Sequence, residues 1–282
     1  MLSIILITIT FIVLFIASYI DIRTREVPDW LNYGLIFSAF GIRIIYSFSL
    51  GWEIILSGIL GFIVCLGLAF LFYYTNQWGG GDSKLLMGMG AIIGITYPFD
   101  ASSWNLLFFF LALLFLGAIY GLIFMVGIAV KKRKIFMKEF IKSVKSKKKL
   151  SLFLIILTII LIVFSVLKIY LWPLIFFPLG LFYLFISINI VEKTCFFKKV
   201  KPEHLTEGDW LIEDVKVKRK IVMGAKTLEK EDVWKLRFLE RENKIKKVLI
   251  KEGVPFVPSF LFAYLLLIFG QKVFTWVLSF FV

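Results

Sequence analysis

Two aspartates stand where an apolar chain seldom keeps an acid. Asp21 closes the first apolar stretch in Ser18-Tyr19-Ile20-Asp21-Ile22-Arg23. Asp82 follows three glycines in Gln77-Trp78-Gly79-Gly80-Gly81-Asp82-Ser83-Lys84, and a new apolar stretch begins at once. Acids inside or at the edge of membrane helices are expensive to keep, so by default they mark a functional site. Two carboxylates brought close together cannot both ionise easily, and near neutrality or in mild acid they share a proton. The ionised member can activate a water, while the protonated one donates to a scissile carbonyl oxygen. That is how an aspartate pair hydrolyses a peptide bond, and it needs no metal, thiol or cofactor.

The residues around the acids bear on that chemistry. Glycine tolerates positive φ and, lacking Cβ, admits a close approach of backbone or substrate. An extended peptide lying against Gly79, Gly80 and Gly81 would place its carbonyl near Asp82. The run is not a phosphate loop, because no Gly-Lys-Ser/Thr follows it. Taken alone it reads as a flexible turn with an interfacial acid. Asp21 taken alone reads as an interfacial aspartate paired to Arg23 or Arg25. After it, Glu26-Val27-Pro28-Asp29-Trp30 opens the next stretch, and Pro28 suits the first turn of a helix. Asn32, Asn76 and Gln77 lie nearby and are expected to satisfy helix ends.

The elements that must position these residues are membrane helices. Of 282 residues, 60% are hydrophobic, against about 45–50% in a soluble domain. Apolar runs near 2–20, 31–50, 53–75, 83–98, 104–130, 150–170, 171–191 and 255–281 are long enough to be read as spans. The first lacks a basic n-region and a cleavage site, and reads as a retained helix. The region 150–191 is either two spans broken near Trp172-Pro173 or one kinked helix with a re-entrant piece. Gly88, Gly90, Ala91 and Gly94 give the span after Asp82 a small face for close helix approach. Asp100 is expected to cap a helix before Trp104.

Basic residues fix the orientation. Arg23, Arg25, Lys84, the lysine-rich 131–149 and the charged 192–253 alternate with Ser47–Gly51 and Tyr97–Ser103, which have no Lys or Arg. The positive-inside rule then puts the basic group in the cytoplasm, the N-terminus outside, and both acids at cytoplasmic helix ends. The net charge of +14 is read as topology and contact with anionic lipid headgroups, not as nucleic-acid binding. Two cysteines and one histidine make no disulfide framework and no zinc cluster of Cys and His. Within 192–253, Asp209–Val217 has strand-like content and Thr227–Ile250 reads as an amphipathic helix capped near Thr227.

Asp21 with Val27-Pro28-Asp29, and Gly79-Gly80-Gly81-Asp82 at the head of a later span, resemble the GxGD intramembrane aspartic proteases. Within them the chain is similar to the type IV prepilin peptidase family and its archaeal preflagellin peptidases. The stretches Glu203–Asp209 and Lys251–Phe260 resemble the cytoplasmic segment and the start of the last helix in archaeal members. The resemblance implies that Asp21 and Asp82 are the catalytic pair, and Lys84 fits the same pattern. It implies a substrate that is a flagellin or pilin-like precursor, with a short basic leader cleaved on the cytoplasmic side before an apolar helix. No cofactor and no metal is implied. The chain departs from the family in lacking the CxxC motifs of bacterial members, which argues against zinc, and in having more spans than the archaeal flagellin enzymes. A basic leader meeting a basic chain needs local acids, for which Glu26, Asp29, Glu203, Glu207 and Asp209 are candidates.

The expected architecture is an all-α polytopic membrane protein of about 6–8 transmembrane helices with a small cytoplasmic α+β segment. It divides into a membrane core 1–130 carrying both aspartates, a basic cytoplasmic loop 131–149, an additional helix pair 150–191, a cytoplasmic subdomain 192–253 and a C-terminal helix 254–282. Two other classes compete with hydrolysis. A proton- or ion-coupled transporter would use the same acids, but would hold them near the bilayer midplane between related halves. A filament-assembly scaffold would tolerate Asp-to-Asn changes.

Overall fold

The computed structural model describes residues 1–75, 77–167, 174–217, 220–251 and 253–278. The helices are α1 (Leu2–Thr24), α2 (Asp29–Leu50), α3 (Glu53–Tyr74), α4 (Gly80–Ile93), α5 (Asn105–Lys131), α6 (Arg133–Ser146), α7 (Lys148–Leu167), α8 (Phe177–Ile190), α9 (Lys230–Arg241) and α10 (Val257–Leu278). The strands are β1 (Phe197–Val200), β2 (Trp210–Leu211), β3 (Val215–Val217), β4 (Lys220–Met223) and β5 (Val248–Lys251). Among the described residues, five stretches are long and apolar enough to cross a membrane: Leu2–Thr24, Asp29–Leu50, Glu53–Tyr74, Ala101–Lys131 and Leu174–Cys195. The chain is a polytopic helical membrane protein with a small α+β segment. The expected break near Trp172-Pro173 lies outside the described residues.

The chain forms two compact units. One is Met1–Gly121 with Val254–Val282, the other Leu122–Gly253. The C-terminal helix, expected to stand apart as 254–282, is therefore part of the first unit. Its Val257, Phe260 and Ala263 are fully buried in the same core as Leu14, Leu35 and Phe109.

Helix α4 corrects the sequence reading most. The span expected over 83–98 is a helix of 14 residues, Gly80–Ile93. At 1.5 Å per residue it is about 21 Å long, well short of the roughly 30 Å hydrocarbon core. Two features stop it. Gly94 takes φ +73, which L side chains rarely adopt. The guanidinium of Arg43 donates to the last carbonyls of α4, Nε to Ala91 at 2.8 Å and Nη2 to Ile92 at 2.7 Å. Its Nη1 donates to Ile54 in α3 at 2.8 Å. Arg43 is buried, and the carbonyl ends of a helix are where a cation is best placed. One side chain thus ties α2, α3 and α4 together.

Against α3, α4 packs through glycine, as the small face implied. A Cβ on Gly61 would overlap the Gly90 carbonyl, and one on Gly90 would sit 2.6 Å from Cys65 Cβ. Neither helix can shed that overlap by turning a side chain, since backbone meets backbone. Gly61→Ala is expected to cost about 1–3 kcal/mol by forcing the two helices apart. A thermal melt of the detergent-solubilised protein checks it.

In the second unit, 131–149 is not a loop: α6 fills most of it. Phe136, Phe140 and Val144, at helical spacing, pack on Phe182, Ile186 and Ile190 of α8, leaving the lysines outward. Beyond it, β1, β5 and β2 form an antiparallel sheet in that order, and β3 pairs with β4. The helix expected over Thr227–Ile250 ends at Arg241, and Val248–Lys251 is the central strand β5. Its cap is also different. Glu229 and Asp232 form a reciprocal capping box, and Thr227 forms a bridge with Trp210. Asp209–Val217, strand-like in content, supplies β2 and β3 to different sheets.

Candidate active site

One end of the first unit gathers the C-terminus of α1 and the N-termini of α2, α4 and α10. Asp21 lies in the last turn of α1, which Arg25 closes in the left-handed region at φ 65. The Asp21 side chain is buried, and its Oδ2 accepts the Val257 amide at 2.9 Å. That amide opens α10. The next residue, Pro258, has no N–H, and the Ser259 amide donates to Phe256 O at 3.0 Å. Asp21 therefore satisfies an orphan donor of a helix 236 residues away in sequence. The Arg25 side chain is within electrostatic range of Asp21. Arg23 turns elsewhere, with its guanidinium 4.6 Å from the Tyr19 ring centroid.

Asp82 is the third residue of α4 and is half-buried. There it faces unpaired amides and the positive end of the helix dipole, a favourable place for a carboxylate. The Gly79 amide hydrogen-bonds it, and Asp21 is within electrostatic range. The two acids, far apart in sequence, thus occupy one site.

The glycine run works by close approach, not by unusual dihedrals. Gly79 is the N-cap of α4 at φ −71, and none of the three has a positive φ. A Cβ on Gly81 would lie 3.1 Å from Val27 Cβ and 3.4 Å from the Val27 amide nitrogen. A Cβ on Gly79 or Gly80 would meet nothing closer than 3.8 Å. Gly81 is thus the one that lets the Gly-Gly-Gly-Asp turn lie on the Val-Pro-Asp turn. Pro28 is the N-cap of α2, one residue before the first helical turn where sequence placed it. Lys84 Nζ bonds Asp29 Oδ1 at 2.6 Å, which joins α4 to α2.

Sequence reasoning missed four participants. Trp78 packs its ring on Phe72 at 4.6 Å, Phe256 at 5.3 Å and Phe260 at 5.8 Å, anchoring the turn before Asp82 to α3 and α10. Its place beside the glycines was a signal. Tyr120 of α5 is within electrostatic range of Asp21. Ser18 and Ser83 are buried with hydroxyls that have no protein partner. Asn32, expected to satisfy a helix end, does not: its amide oxygen and nitrogen are both buried and unpaired. Asn76 lies outside the described residues. Asp100 does cap, accepting the Ser102 amide at 2.9 Å and the Ser103 amide at 3.2 Å.

Most of the acids proposed to receive a basic leader already have partners. Asp29 holds Lys84, Glu203 pairs with Lys201 and His204, Glu207 with Lys230, and Asp209 accepts the Thr206 amide. Glu26 is exposed just before the Val-Pro-Asp turn. A cavity of about 460 Å³ between α3 and α5 is lined by Cys65, Leu68, Trp104 and Phe110 among others, and by neither Asp21 nor Asp82. Among the described residues, no three His, Cys, Asp or Glu side chains gather as a metal site would need.

Fold and site together define a multi-pass membrane protein with a paired-aspartate centre at one end of a helix bundle. Residues 8–122, which carry both acids and both motif turns, match the type IV leader peptidase family. Three curated relatives are preflagellin peptidases. That of Methanococcus maripaludis is 36% identical over 83 residues, 28% of this chain and 35% of the relative. That of Methanococcus voltae is 37% identical over 91 residues, 32% of this chain and 38% of the relative. That of Methanocaldococcus jannaschii is 38% identical over 85 residues, 28% of this chain and 34% of the relative. The matched part spans little more than a third of the length of these relatives.

Proposed function

We propose that the protein is a membrane-embedded aspartic endopeptidase that removes the short basic leader from preflagellin or type IV pilin-like precursors. The observation that carries this reading is the meeting of Asp21 and Asp82 at the ends of α1 and α4. The family match over the same residues supports it, as do the relatives named for preflagellin. In the reaction, the carboxylate of the pair takes a proton from water, whose oxygen attacks the scissile carbonyl carbon. The protonated partner donates to the carbonyl oxygen. Collapse breaks the C–N bond, and the leaving amine takes a proton from the pair. The basic segments share one side by the positive-inside rule, so cleavage takes place at the cytoplasmic face. Transport through the same acids has no observation in its favour: both sit at helix ends, away from the midplane such a site would use.

The test is to mix the full chain, in membranes, with a leader-bearing precursor and to weigh the product. A new N-terminus just before the apolar helix supports the reading, and an intact precursor opposes it. The glycine geometry adds a finer expectation. Gly81→Val should leave a folded protein whose α4 turn is pushed off Val27, and cleavage should fall about 10²-fold from that misplacement. Gly79→Ala, whose Cβ would make only an ordinary contact at 3.9 Å from Asp82 Oδ2, should cleave close to the parent rate.

A further inference from the structure

We propose that Ser18, Asn32 and Ser83 form a buried polar shelf that binds water beside the aspartate pair, with Asn32 as its positioning residue. The inference rests on the hydrolytic reading above and names where that reaction draws its water. Ser18 lies one turn before Asp21 on α1, and Ser83 directly follows Asp82 on α4. Asn32 lies on α2 one turn beyond Asp29, which holds Lys84, and one turn before Leu35, which packs on Gly88. That spacing sets Asn32 on the α4-facing side of α2, between the levels of Lys84 and Gly88 and about one turn deeper than Ser83. Ser18 is 6% exposed, Asn32 0% and Ser83 3%. The Oγ atoms of both serines and both amide atoms of Asn32 have no protein partner.

Other hydroxyls among the described residues do find partners. Thr10, Thr24, Thr75 and Ser187 fold their hydroxyls back onto the carbonyl four residues earlier, at 2.7 to 2.9 Å. The orphaned serine and asparagine groups belong to three different helices, and all lie within about one turn of a motif acid. Buried polar atoms are almost always satisfied, and an unmet cluster marks a ligand or water site. Neutral groups that both donate and accept suit water. Asn32 offers two donors and an acceptor oxygen, and each serine offers one donor and two lone pairs. Buried water takes two to four such partners. An anion would be repelled by the two carboxylates beside the shelf, and Lys84 is committed to Asp29.

The experiment compares the full-length wild type with Asn32→Leu, near in size but unable to hydrogen-bond, in precursor cleavage and in thermal unfolding. The shelf predicts that kcat falls about 10²-fold at unchanged KM. The melting temperature should hold or rise, because an unmet polar group has left the interior. Asn32→Ser, which restores one hydroxyl, should recover part of the rate. Cleavage within about twofold of wild type overturns the shelf. So does a loss of rate that tracks a loss of stability. If Asn32→Leu yields no folded protein, the smaller double change Ser18→Ala with Ser83→Ala decides by the same criteria. Asp82→Asn in the same assay separates the two readings. An active wild type, a dead Asp82→Asn and an unaltered Asn32→Leu sink the shelf alone. An Asp82→Asn as active as wild type sinks the peptidase reading, and the shelf with it.

Discussion

Asp82→Asn is expected to fold as the parent does and to cleave about 10²–10⁴-fold more slowly, the usual contribution of a positioned acid or base. Asparagine keeps the size and the acceptor for the Gly79 amide, and removes only the titrating proton. Asp21→Asn should fail as badly, because the two acids act as one unit. Asp21 carries a second duty that makes the choice of variant matter. Its carboxylate accepts the Val257 amide that opens α10. Asparagine can retain that bond, whereas Asp21→Ala also loses it, at about 0.5–2 kcal/mol for a missing helix-end acceptor. The expected pattern is therefore two equally inactive Asp21 variants, of which only the alanine melts early. Cleavage and thermal unfolding, measured on the same preparations, check it.

Arg43→Leu is expected to have the largest effect on folding. The change strips the buried carbonyls of Ala91 and Ile92 and the part-buried one of Ile54 of their donor. Each unmet carbonyl costs about 1–3 kcal/mol. Relief from burying a cation offsets part of this, leaving a net loss on the order of 3–5 kcal/mol. Against a total stability of about 5–15 kcal/mol, much of the folded population would disappear. Arg43→Lys should fall between, because an ammonium lacks the planar fork that reaches three acceptors on two helices. Arg43 fixes the far end of the helix that bears Asp82, so any surviving folded fraction should also cleave poorly. Yield and melting temperature of the purified protein test this.

The acids, the glycine run and the Val-Pro-Asp turn were legible because their chemistry lies in short local patterns. What went unread depends on distant contacts. Nothing near Asp21 points to Val257, and nothing near Arg43 points to the end of α4. Even so, a lone arginine inside an apolar stretch was a signal that it must find partners. Helix α4 was overextended because apolar residues continue past Gly94, while the backbone there turns at positive φ. The end of α9 was missed for another reason. Ile245 and Leu249 keep helical spacing, but Val248-Leu249-Ile250 is also a short apolar run, and such runs do not distinguish helix from strand. Asn243, at φ 58, is the left-handed residue that commonly ends a helix, and it stands just past Arg241. The cap at Glu229 was passed over for Thr227 because threonine is the commoner N-cap.

Hydrolysis at this site requires two carboxylates working as one proton-sharing pair. The most direct measurement is kcat/KM for precursor cleavage by the wild type across acid to alkaline pH, with Asp82→Asn as the blank. The account predicts a bell: one limb where the pair takes up a second proton, the other where it loses its last. A rate that climbs to a plateau in alkali, or a blank that cleaves alongside the wild type, would contradict it.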